Sequence, residues 1–322
     1  MTSAPRFRRL LKPTLSVLVV LCVVWFFARA FQRNWAEVRA HEFDLSVPYL
    51  LCSAIATLAA ILLATYAWYA SINALSLNKV DFRQSIAAAN LSGLTKYIPG
   101  KVWSYALQMY FLDGVGISKA LILYVGILNL AISMGVSVIF ALVCLLFGQV
   151  TFPTSVLLGS LFGLLAFDAL CIGFNRALLD ALVSLINRIF KRNLSTFDVT
   201  KSLLLELHAI HLIAAMFSGL AAYWFCFGIG YRIGFERSLV VVGSSTLGDV
   251  VGFLAVIVPG GLGVREGLMY EMLRGQDSGS LALIMPVASR LLNMVVEIGL
   301  GLVALRLLRT LTVRKPAESS QP

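Results

Sequence analysis

Apolar residues run through this chain in long stretches, and polar positions gather in the short gaps between them. About 20 mostly apolar residues are needed for a helix to cross the hydrocarbon core of a bilayer. Six stretches meet that length: 14–31, 48–75, 118–147, 154–174, 205–231 and 281–308. Two further apolar segments, 84–110 and 239–273, are each interrupted by a Pro-Gly pair, Pro99-Gly100 and Pro259-Gly260. Between the fourth and fifth spans, Leu178, Leu182, Leu185 and Ile189 recur at helical spacing, with Asp180, Asn187 and Arg188 elsewhere. That pattern predicts an amphipathic surface helix over 177–190. The polar stretch 314–322 predicts a disordered tail.

The two interrupted segments resemble each other. Leu94 matches Leu254, Pro99 matches Pro259, Gly100 matches Gly260, Met109 matches Met269 and Tyr110 matches Tyr270, always 160 positions apart. A duplicated broken-helix element in a membrane protein points to a transport site. Lys and Arg then orient the spans. Arg6, Arg8, Arg9 and Lys12 precede the first; Arg176, Arg188, Lys191, Arg192 and Lys201 lie in 175–202; Arg306, Arg309, Arg314 and Lys315 close the chain; 148–153 has none. Positive charge stays inside, so both termini and 175–202 are expected in the cytoplasm and 148–153 outside. On that count each interrupted segment returns to the side it started from, the two from opposite faces.

The fold class expected is therefore an all-α polytopic membrane protein. It is an inverted repeat with three transmembrane helices plus one Pro-Gly re-entrant hairpin per half. The halves are 1–153 and 154–308, followed by the tail 309–322. A rival count, eight full crossings with a parallel repeat, leaves the termini in the same place.

Composition agrees. The 322 residues are 59% hydrophobic and 13% charged, against roughly 45–50% and about 25% in soluble domains. The net charge of +10 sits in loops and termini, where it serves topology and not nucleic acid. Cys22, Cys52, Cys144, Cys171 and Cys226 all fall in apolar runs without a C-x-x-C pair, and they read as small buried hydrophobes. Arg6, Arg8 and Arg9 before an apolar run, with Ala28-Arg29-Ala30 after it, imitate a signal peptide. The length of the run and Trp25-Phe26-Phe27 favour a retained helix.

Proline removes an N–H and glycine eases the turn, so each Pro-Gly pair frees backbone groups. At membrane depth such groups persist only inside protein or beside a water-filled cavity. A cation follows or flanks each break: Lys96 and Lys101 at the first, Arg265 at the second. These can meet a negatively charged group, Arg through a bidentate fork and Lys as a point charge. The lysines can equally snorkel to the surface. Tyr97 and Trp103 fit either a headgroup site or an interfacial belt. Gly261 and Gly263 fit either cavity shaping or a tight turn, and Glu266 fits a helix N-terminal acid.

Charges inside spans are costly and face a cavity or a partner. Arg290, Asn293 and Glu297 share one helix face, and Asp249 lies in the second interrupted segment. Either an Asp249–Arg290 or a Glu266–Arg290 pair is expected, with Asp249 and Glu297 as charge partners or coupling groups. Asp168, Glu206, His208 and His211 carry a weaker signal. The histidines offer two metal ligands at most and read as packing residues. No Gly-x-Ser-x-Gly elbow, Walker loop or His-Glu-x-x-His helix occurs. No enzymatic activity, cofactor or metal is expected.

Asn90 through Trp103, together with Pro259-Gly260-Gly261-Leu262-Gly263-Val264-Arg265-Glu266-Gly267, resemble the lysylphosphatidylglycerol synthase transmembrane region family, and Arg290 resembles that family's late arginine. The specific motifs cover about 25 residues; the hydropathy likeness covers nearly the whole chain. The family includes the flippase domain of the multiple peptide resistance factor, stand-alone membrane proteins, and membrane domains attached to glycosyltransferases. Only about 14 residues follow the last span, so the soluble aminoacyl-transferase domain is not expected. The resemblance implies a flippase for an anionic-headgroup lipid, either a phospholipid or a polyprenyl-phosphate-linked sugar, in the bacterial inner membrane. Lys96, Tyr97, Lys101, Trp103, Arg265, Glu266 and Arg290 would then bind the headgroup, and Pro99, Gly100, Pro259, Gly260, Gly261 and Gly263 would shape the cavity. The alternative is an accessory scaffold whose partner is a glycosyltransferase or a lipid-modifying enzyme.

Overall fold

A computed structural model describes residues 44–97, 103–112, 115–148, 150, 153–173, 197–255, 261–275 and 279–313, together with Gln32 and Ser184. The expected span 14–31, the surface helix 177–190, the tail 314–322, and Pro99, Gly100, Lys101, Pro259 and Gly260 lie outside the described residues. Lys96 and Tyr97 are described in their backbone alone.

The described residues are helical, with no strand among them. Helix α1 is Val47–Leu75. A short pair follows, α2 at Phe82–Gly93 and α3 at Trp103–Leu112, with a 3₁₀ turn at Leu94–Tyr97 after α2. Then come α4 at Lys119–Phe147 and α5 at Thr154–Gly173. Helix α6 is Lys201–Gly228, α7 is Phe235–Leu254, α8 is Val264–Leu273 and α9 is Gly279–Val313. Six of these, α1, α4, α5, α6, α7 and α9, are long and apolar enough to cross a membrane. The chain is an all-helical membrane protein.

Local chemistry sets the starts. Ser118 Oγ accepts from Leu121 N at 3.1 Å and Thr200 Oγ1 from Leu203 N at 3.2 Å, each satisfying an orphan donor of a first turn. At α2, Asp81 Oδ1 accepts from Phe82 N at 2.8 Å and Gln84 Oε1 accepts from Asp81 N at 2.9 Å. At about 1.5 Å per residue, the 12 residues of α2, the 10 of α3 and the 10 of α8 each fall well short of the ~30 Å hydrocarbon core. The 20 residues of α7 reach it. The second interrupted segment therefore opens on a helix of crossing length, where the sequence predicts a hairpin like the first.

Helix α1 lies along α6. Ser46 N donates to Gly228 O at 3.0 Å, and Ser53 Oγ donates to Ala221 O at 2.8 Å. The partner number falls as the residue number rises, so the two helices run antiparallel. Gly228 permits the approach: a Cβ there would stand 2.6 Å from Leu50 Cδ2. Around this pair the remaining helices exchange partners. Helix α7 packs on α4, and α2 packs on α9. Gly243 against Leu145, and Gly148 against Val240, mark the first of these contacts.

The ends of each short-helix segment meet. Asn78, before α2, donates from Nδ2 to Gly116 O, after α3, at 3.0 Å. Tyr231, before α7, donates from its hydroxyl to Ser280 Oγ, after α8, at 2.8 Å. The first contact lies just past the C-terminal end of α1 and the second just past the C-terminal end of α6.

Two apolar clusters flank the centre. One gathers Trp68, Ile72, Leu112, Ile122 and Val125; the other gathers Leu145, Phe225, Val240, Met269, Leu283 and Met285. Helix α5 stands outside both and buries Leu161. Asp168 Oδ1 on α5 joins His208 Nε2 on α6 at 3.1 Å. That His208 is held by Asp168, while His211 faces elsewhere, gives the two histidines separate structural roles.

Candidate functional site

Between these helices lies a cavity of about 740 Å³, walled by residues from α1–α4 and α6–α9. Its second-half wall carries Asp249, Arg265, Arg290, Asn293 and Glu297. A charge at this depth requires a partner, and the local fold supplies one for each arginine.

Helix α8 begins after two glycines in left-handed backbone, Gly261 at φ +66° and Gly263 at φ +81°. A side chain at Gly261 would overlap the backbone of Gly252 on α7, so this turn requires glycine in both conformation and space. One turn along α7, Gly248 and Gly252 form a bare strip. A Cβ at Gly252 would stand 3.0 Å from Arg265 Cβ, and one at Gly248 3.1 Å from Met269 Cγ. The first turn of α8 is thereby pressed onto α7, and Arg265 is directed along it.

Arg265 Nε stands 2.5 Å from Asp249 Oδ1 as an ion contact, without an aligned N–H···O bond. Its two remaining nitrogens make long bonds, Nη2 to Ser245 Oγ at 3.4 Å and Nη1 to Pro286 O at 3.5 Å. The guanidinium is 7% exposed and Asp249 is 45% exposed, so the cavity meets the carboxylate first. Glu266 does two things at once. Its Oε2 accepts from Gly263 N at 2.5 Å, closing the first turn of α8, and its Oε1 accepts from Arg290 Nη1 at 2.6 Å. That pair is nearly sealed, Arg290 at 13% and Glu266 at 4% exposure. Of the two pairings expected for Arg290, the one with Glu266 forms. Asp249 pairs with Arg265, which the glycine strip holds against α7.

Arg290, Asn293 and Glu297 all line the cavity, as their shared helix face predicts. Asn293 Oδ1 accepts from Thr57 Oγ1 at 3.2 Å, linking α9 to α1. Trp103 is 56% exposed at the start of α3 and is not a cavity residue. Gly261 and Gly263 act as turn residues, and the glycines that line the cavity are Gly93, Gly126 and Gly252.

The first-half wall holds Asn90, quoted in the sequence only within the resemblance motif, and four residues that the sequence reading passed over: Trp68, Tyr105, Gln108 and Asn129. Asn129 Nδ2 donates to Ser71 Oγ at 2.9 Å, and its Oδ1 lies 3.1 Å from His211 Nε2. Amides and aromatics within apolar runs are common enough to attract no notice one at a time. Only the fold brings them to one wall. Among the described residues, no cluster of three or more His, Cys, Asp or Glu has the arrangement of a metal site.

Compared with known families, curated proteins and solved structures, the chain matches none.

Proposed function

We propose that this chain is a lipid transporter that passes an anionic-headgroup lipid between leaflets through the cavity. The observation that carries the reading is the paired charge cluster, Asp249 with Arg265 and Glu266 with Arg290, on the wall of a 740 Å³ cavity between apolar helices. Intramembrane charges that face a cavity mark substrate paths, and a broken element beside the cavity, followed by a cation, suits an anionic group. Arg265 sits in the first turn of α8. A phosphate entering the cavity would share Arg265 and Arg290 with the acids that hold them, and Asp249, the more open partner, is the one it displaces. The guanidinium forks supply the directed donors such a group needs. Lys96 and Lys101 are assigned the same role from the sequence.

The architecture is read as an inverted repeat with re-entrant segments. Helices α1 to α4 correspond to α6 to α9, about 160 positions later. Corresponding α1 and α6 run antiparallel, which favours inversion over a parallel repeat. The returning ends at Asn78–Gly116 and Tyr231–Ser280 favour re-entry over eight crossings. The resemblance to the lysylphosphatidylglycerol synthase transmembrane region family supports the same reading, which includes a place in a bacterial inner membrane with both termini cytoplasmic. The chain on this reading is no enzyme.

The test is transport by the purified protein in vesicles carrying a fluorescent phosphatidylglycerol, followed by chemical quenching of the outer leaflet. Wild type is expected to move the lipid unaided, and Arg265→Ala and Arg290→Ala to slow it at least tenfold. Undiminished transport by both variants would overturn the site. No transport by wild type would move the reading to the accessory scaffold.

A further inference from the structure

The two walls of the cavity differ in kind, and the repeat makes the difference position by position. Arg265 and Asp249 on the second wall correspond to Tyr105 and Ala89 on the first, and Arg290 corresponds to Leu130. Among its described residues the wall built from α1–α4 has no charged side chain; it has Trp68, Asn90, Tyr105 and Gln108. We propose that this wall is a neutral subsite for a polyhydroxyl group, glycerol or sugar, carried beyond the phosphate of the lipid headgroup. The inference rests on the headgroup-path reading above and names the substrate class within it.

Three observations support it. The first is hydrogen-bonding capacity left over. Gln108 Nε2 donates to Ser92 Oγ at 3.1 Å, but among the described residues Gln108 Oε1 has no partner, and neither has Trp68 Nε1. Both side chains are more than nine-tenths buried, and unpaired polar groups in such surroundings cost free energy. Both atoms are closed to solvent here, so binding requires a side-chain rotation toward the cavity. An amide oxygen needs a donor and an indole N–H needs an acceptor. A hydroxyl is both, whereas an ionised phosphate offers acceptors alone.

The second observation is orientation. Asn90 Nδ2 donates to Thr65 Oγ1 at 3.3 Å and to Ile86 O at 3.0 Å. Its amide is fixed, with Oδ1 left as a further acceptor. The third is shape. A Cβ on Gly126 would collide with the Tyr105 ring, so glycine at that position leaves room for an aromatic face beside the amides. The cavity, at about 740 Å³, falls within the roughly 300–1,000 Å³ of sites for drug-sized ligands, more than a bare phosphate occupies.

The experiment measures binding calorimetrically with purified protein and four probes. They are short-chain phosphatidylglycerol and phosphatidic acid, and citronellyl phosphate with and without a linked glucose. Wild type is expected to prefer the polyol member of a pair about tenfold or more, since sites built to hydrogen-bond a hydroxyl reject the analogue lacking it. Gln108→Leu and Trp68→Phe are expected to lose the preference while binding phosphatidic acid as wild type does. A preference in the first pair assigns a glycerophospholipid; one in the second pair assigns a polyprenyl-phosphate sugar. Equal binding within both pairs by wild type overturns the polyol subsite and leaves the headgroup path standing. No binding of any probe overturns both. Should Gln108→Leu fail to fold, the wild-type preference and Trp68→Phe still decide.

Discussion

Gly261 and Gly267 stand in the same stretch of chain and predict opposite effects. Alanine at 261 is forced into left-handed backbone and into the backbone of Gly252, a combination expected to cost at least about 1–3 kcal/mol. Alanine at 267, inside α8 with nothing within 4 Å, is expected to stabilise by about 0.5–1 kcal/mol. Thermal unfolding in detergent distinguishes them; a Gly261→Ala protein as stable as wild type removes the argument for this turn. The Glu266–Arg290 pair predicts a second asymmetry. Glu266→Gln takes the carboxylate away from the buried Arg290 guanidinium and is expected to cost about 3–5 kcal/mol, while Glu266→Gln with Arg290→Met recovers part of it. A double-mutant cycle measures the coupling, and additive losses would mean that the pair does not act as one. At this scale the charged residues were legible, because a charge inside an apolar run is too costly to be incidental. Of their pairings, Glu266–Arg290 was one of the two expected; Asp249–Arg265 was not, because it depends on how closely α8 approaches α7 along Gly248 and Gly252. Gln108 and Trp68 gave no signal for the opposite reason: each is an unremarkable residue until a neighbour is known.

Elements carry the topology. Exposed positions flank both segments proposed to be re-entrant: Leu77 and Lys119 around α2 and α3, Phe235 and Arg274 around α7 and α8. Single cysteines at these positions, in a background with the five native cysteines replaced, are expected to label in pairs. Leu77→Cys and Lys119→Cys should react from one side of the membrane, and Phe235→Cys and Arg274→Cys from the other. A split within either pair is incompatible with re-entry. Apolar periodicity located the long helices α1, α4, α5, α6 and α9 to within a few residues, since length and hydropathy alone define a span. It did not distinguish α7, with its crossing length, from the short α2. Both sit in apolar stretches interrupted by Pro-Gly, and the difference between 12 and 20 helical residues lies almost wholly at the start of α7, since α2 shifted by 160 positions covers only 242–253.

For the whole molecule, the exchange of partners between the halves bears on movement. Antiparallel α1 and α6 form a continuous central pair, held by Ser46–Gly228 and Ser53–Ala221. The contacts of α2 with α9 and of α7 with α4 lie to either side of it. A transporter that opens alternately to the two faces must loosen one of these lateral contacts while keeping the other, with the central pair as the fixed axis. The site of one such contact is narrow: a Cβ on Gly301 of α9 would stand 2.5 Å from Leu94 Cδ1, just beyond α2. Bridging Leu94→Cys to Gly301→Cys with a short bifunctional thiol reagent is expected to stop lipid movement while leaving headgroup binding in place. The same reagent across Leu50→Cys and Gly228→Cys, on the central pair, is expected to leave transport unchanged. Vesicle assays on each protein before and after bridging supply the comparison, and cleavage of the bridge should restore the first variant. If the lateral bridge leaves transport intact while the central one abolishes it, the moving contact lies within the α1–α6 pair and the axis has been assigned to the wrong helices.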